Sequence, residues 1–181
     1  MKTIFAIIAM LLLVALVSAK TEDVSVGPYK VSFDLNTTMN YTVTPDYVVN
    51  PDNSSTGTVK IQSENDTLAL IGITNFNASQ YAGFTRSDFL YMDLALRTDS
   101  NVIDGNVTKG VIDGKTGLIV TQTRRQPSDN STADSMIALY WPDSQEIEGY
   151  GIPVAKTKVE IIANMPGAMS KDLLESIHVA Q

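Results

Sequence analysis

The stretch TLALIGITNF, Thr67–Phe76, decides the fold. Its apolar side chains fall on both parities, with Leu68, Leu70 and Phe76 on one and Ala69, Ile71 and Ile73 on the other. A half-exposed strand alternates polar with apolar, whereas a run apolar on both sides reads as a strand covered on both faces. An interior strand needs partners on either side, so the neighbouring sequence should supply a sheet.

Outward from that run, further strands are predicted at 29–35, 40–49, 57–64, 107–113, 116–123, 135–141 and 155–163, with the central one at 68–76. Tyr29, Val31, Phe33 and Leu35 alternate with Lys30, Ser32, Asp34 and Asn36, the period-2 pattern of a strand with one buried face. Asp113-Gly114 between two such runs is a hairpin signal, and EGYGIP (148–153) marks another break. A helix is predicted over 86–98, where Thr85 and Asp88 form a capping pair and Phe89, Leu90, Tyr91, Met92, Leu94 and Leu96 supply apolar side chains at helical spacing. A second, short helix follows Pro166-Gly167, with Ser170 as its cap, Asp172 in its first turn and Leu173, Leu174 and Ile177 facing inward. The fold class expected is α+β: an antiparallel sheet of about six to eight strands with one long and one short helix packed on it. Short turns dominate the connections, which disfavours a parallel α/β arrangement.

YKVSFDLN (29–36), LALIGITNF (68–76), RSDFLYMDLAL (86–96) and KDLLESIHV (171–179) together resemble the PsbP-like sandwich, as its first strand, central strand, long helix and closing helix with a strand-like tail. The resemblance spans most of 29–179. It implies a fold used for docking to other proteins, and no functional residue is carried over from it.

The N-terminus, MKTIFAIIAMLLLVALVSAK, has one cation at Lys2, an uncharged apolar run from Ile4 to Val17, and small residues at Ser18 and Ala19. This is the layout of a cleaved export signal, 1–19, followed by a linker over 20–28 and a single domain over 29–181. A retained anchor is the alternative, and it is the only membrane contact the sequence suggests. An exported chain of this size without a single cysteine must be held by packing or by partners. With 13 Lys and Arg against 20 Asp and Glu, the formal net charge is −7, and removal of Lys2 makes it more negative. That balance repels phosphate backbones, and Arg124-Arg125 is an isolated basic pair, so nucleic acid is not an expected partner.

Seven of the eleven asparagines, Asn36, Asn40, Asn53, Asn65, Asn77, Asn106 and Asn130, begin Asn-x-Ser/Thr triplets. Random placement at this composition would give about two, and each triplet is an acceptor signal for N-glycosylation in an exported chain. Asn53, Asn65, Asn106 and Asn130 fall in turn signals, and Asn36 and Asn40 are expected on the polar side of their segment.

Signals for chemistry are sparse. His178 is the sole histidine, too little for a multi-histidine metal site, and is read as a polar residue closing the last element. No glycine-rich phosphate loop occurs, and DSNVIDG from Asp99 fails as a calcium loop because Ile103 and Gly110 stand at ligand positions. No cofactor is expected. The densest carboxylates, Asp143, Glu146 and Glu148, lie beside Trp141 and Tyr150 and form the candidate ligand site. Two carboxylates and an aromatic platform suit a sugar or a glycosidase reaction, but a solvated acidic loop in an acidic protein is the preferred reading. The functional expectation is an extracellular or cell-surface glycoprotein with a non-catalytic binding or accessory domain and a protein or glycan partner. Its alternatives are an extracellular carboxylate-dependent hydrolase of glycan or peptide and an N-terminally anchored subunit of an envelope complex.

Overall fold

The computed structural model describes residues 20–64, 66–126 and 131–181. Among these described residues, eleven strands and two helices follow in chain order: β1 (Lys20–Val26), β2 (Tyr29–Leu35), β3 (Thr42–Val49), β4 (Ser55–Gln62), β5 (Thr67–Tyr81), α1 (Arg86–Thr98), β6 (Val102–Ile112), β7 (Lys115–Arg125), β8 (Thr132–Tyr140), β9 (Gln145–Ile147), β10 (Ile152–Ala163), α2 (Gly167–Ser176) and β11 (His178–Ala180). They form an α+β fold of two antiparallel sheets. The large sheet runs β3-β4-β5-β10-β8-β7-β6 with β9 paired to β10, and the small one runs β1-β2-β11.

Strand β5 lies inside the large sheet, between β4 and β10, as its composition demands. Its two faces differ. Ala69, Ile71 and Ile73 are fully buried against the small sheet and α2, while Leu70, Gly72 and Thr74 are only half-buried. The expectation of cover on both faces is corrected here. Helix α1 packs at the far end of the sheet, on β6 and β7, where Leu96 meets Leu118 and Val120. Each face of the sheet is thus covered over one half, by different elements.

The segment 20–28, expected as a linker, is also corrected: it forms β1 and the turn into β2, with seven paired residues from Lys20↔Leu35 to Val26↔Tyr29. Val24 and Val26 alternate with polar residues and pack into the core, which is enough to hold a strand. Gly27 makes the turn possible. Its backbone is left-handed (φ +58°), and a Cβ there would lie 2.5 Å from the Tyr47 ring.

Helix α1 begins where the capping pair places it. The Thr85 hydroxyl accepts from the Asp88 amide at 3.3 Å, and the Thr85 amide donates to Asp88 Oδ2 at 2.6 Å. Helix α2 starts three residues before the expected cap: Pro166 occupies the N-cap, and the buried Ser170 hydroxyl donates to the Met165 carbonyl instead. Proline sets that start because its fixed φ leads into a helix. Leu173, Leu174 and Ile177 are buried as expected.

Candidate functional site

The carboxylates read as a ligand cluster have different surroundings. Asp143 turns back onto the sheet, where its two oxygens accept from the amides of Lys156 and Thr157 at 3.1 Å. Those amides are freed by the register shift between Ala155 and Thr157 in β10, and a carboxylate satisfies them well. Glu146 is exposed on β9 and lines a polar cleft of about 490 Å³ with Tyr81, Phe84, Lys109 and Lys115. Glu148 is exposed in the turn that follows. Trp141 is half-buried, its ring tilted against Phe76 of β5 with centroids 6.1 Å apart, so part of the ring is taken up by packing on the sheet.

His178 is exposed and its Nδ1 lies 2.6 Å from Asp113 Oδ1. The other oxygen of Asp113 accepts from the Val179 amide at 3.0 Å and from the Tyr140 hydroxyl at 3.4 Å. Burial, and then the nearby Asp113 charge, push the Tyr140 hydroxyl well above the usual tyrosine range. The sequence showed Asp113 only as a turn residue. Its second role, tying the C-terminal strand to the β6–β7 hairpin, depends on a partner 65 residues away that no local pattern could indicate. Asp99, at the end of α1, accepts from the Asn101 amide and pairs with Arg124 at 2.7 Å, in keeping with a turn. No group of acidic or histidine side chains able to hold a metal occurs among the described residues.

Of the acceptor asparagines, Asn65 and Asn130 lie outside the described residues. Asn40, Asn53, Asn77 and Asn106 are exposed. Asn53 caps the β3–β4 turn in left-handed backbone (φ +63°), and Asn77 donates to the Asp52 carbonyl across that turn at 3.2 Å. Asn36 departs from expectation: it is half-buried, and its Oδ1 is enclosed without a hydrogen-bond partner. The end of β2 is held inward there, because the Asp34 amide donates to the Ser176 hydroxyl of α2 at 2.8 Å.

Two surface features were not foreseen. One is a groove of about 530 Å³ where β6, β7 and β8 extend past α2. Val111 and Ile119 with the buried Met136 and Leu174 are its apolar lining, with Asn106, Asp134 and Lys171 among its polar residues. The other is the outer side of α1. Phe89, Met92 and Leu96 pack on the sheet, but Leu90, Tyr91 and Leu94 remain 57, 72 and 59 % exposed. Helical spacing brings all six into one amphipathic reading; only the sheet shows which three it covers.

No family model, no curated protein and no solved structure matches this chain. Among the described residues no helix is long and apolar enough to cross a membrane.

Proposed function

We propose that this chain is a secreted or cell-surface glycoprotein whose domain works by binding a protein partner. The observation that carries the reading is the outer side of α1: Leu90, Tyr91 and Leu94 stand together on one helix flank, exposed to water. Covering side chains of this size is worth about 1.5–3 kcal/mol each, and tyrosine is a frequent anchor where proteins meet. The exposed acceptors Asn40, Asn53, Asn77 and Asn106 support the glycoprotein part. Kinship with the PsbP-like sandwich belongs to the same proposal. Its support is the long helix over Arg86–Thr98 and the closing helix that ends at Ser176 before the short β11.

Cross-linking of the native protein in its own medium or envelope fraction, wild type beside L90D/L94D, tests the binding. A discrete partner lost in the variant, at unchanged melting temperature, is the expected result; equal capture by both would count against α1. Intact mass before and after deglycosylation tests the rest, since the bare mass of 20–181 would exclude a glycoprotein.

A further inference from the structure

Asn106 combines two properties no other described acceptor shares: it is exposed, and it lines the groove beside α2. It sits on β6, an edge strand paired only with β7, directly opposite Thr121, another residue of the groove. The groove is amphipathic. Ile119 offers aliphatic surface over a floor of the buried Met136 and Leu174, while the Thr121 hydroxyl, the Asp134 carboxylate beside Thr123 and the Lys171 ammonium beside Glu175 are the polar groups around it. A sugar ring has matching chemistry, with C–H faces for apolar surface and hydroxyls for polar neighbours. At about 530 Å³ the space lies within the range of sites that enclose small organic ligands.

We propose that the groove is the seat of this chain's own glycan, carried on Asn106 and folded back over β7 and α2. The inference rests on the glycoprotein reading above. Transfer from a lipid-linked glycosyl diphosphate forms a bond from the sugar C1 to Nδ2 of Asn106 and breaks the C1–O bond to the diphosphate, which leaves as the amide gives up one proton. Once attached, the sugar is at an effective concentration of the order of millimolar beside the groove, so contacts too weak to hold a free saccharide suffice to seat it. A seated glycan closes the groove to outside ligands and covers the unpaired edge of β6, a strand of 11 residues with no proline.

The native protein provides the test. Glycopeptide mass spectrometry reports whether Asn106 is occupied, and nuclear Overhauser contacts report whether sugar protons approach the methyl groups of Ile119, Met136 and Leu174. An occupied Asn106 with those contacts, both lost in N106Q and in T108A, is the expected result. Occupancy without contacts would overturn the seat. An unmodified Asn106 in a protein carrying sugar elsewhere would overturn this inference alone, whereas unmodified asparagines throughout would overturn the glycoprotein reading with it. Trimming the glycan enzymatically from folded wild-type protein should speed amide exchange in 117–123 at least twofold; unchanged exchange would also count against the seat, independently of any folding defect in a variant.

Discussion

Asp113 sits in left-handed backbone (φ +50°) followed by Gly114 (φ +70°), the geometry of a tight turn whose twist matches the strands it joins. Because that turn projects toward the last residues of the chain, its carboxylate meets His178, Val179 and Tyr140 together. Asp113→Ala should lower unfolding free energy in urea by about 1–3 kcal/mol, since it strands buried donors and strains the turn. Asp113→Asn should cost less, because asparagine tolerates the same backbone and retains an acceptor. A second cluster links β1 to the β2–β3 connection. Glu22 accepts from Lys20 at 2.6 Å and from the Tyr41 hydroxyl at 2.9 Å. Lys20 holds the Glu22 carboxyl below its usual range, and burial followed by the Glu22 bond pushes Tyr41 up to about 12. The signs are opposite. Stability from Glu22 is present above its unfolded pKa and fades as pH falls through the lowered folded value. Stability from Tyr41 is complete below about pH 10 and is lost as pH rises toward about 12. Urea melts of wild type, E22Q and Y41F across pH 2–11 should show the acid slope weakened in the first variant and the alkaline slope weakened in the second.

At the scale of elements, α1 illustrates what local sequence controls. Its residues 86–98 are expected and observed alike, because Thr85 and Asp88 satisfy the first-turn amides and Arg97 pairs with Asp93 at 2.7 Å in the last turn. Thr85→Ala should cost about 1 kcal/mol, read from thermal or urea melts. Tyr91→Ser should leave the melting temperature of the isolated protein nearly unchanged, since most of the side chain, 72 %, already faces solvent. The short β9 escaped sequence reading, and β11 was indicated only as a strand-like tail through the family resemblance. Three residues are too few to show a period, and each exists because a longer strand, β10 or β2, offers a free edge.

For the whole molecule, β5 and β10 form the spine between the two covered half-faces. Ile71→Ala opens a cavity between the large sheet and the small one, and a loss of about 2–5 kcal/mol is expected. Leu118→Ala, in the separate cluster under α1, should destabilise by a similar amount and unfold in the same single transition, because both clusters are built on one sheet. Two transitions in calorimetry would show that the α1 end melts on its own.

The sequence by itself determined the class of fold, most strand positions, the N-terminal cap of α1 and the acceptor triplets, because each is written in residues within one turn or one strand period of each other. Tertiary structure alone decided which face of β5 stays half-open, that Asp143 and Trp141 serve the sheet, that Asn36 turns inward, and that Asn106 borders a groove. Those outcomes depend on which elements meet across long separations, and a one-dimensional pattern records that a side chain is apolar or charged without recording what it will face.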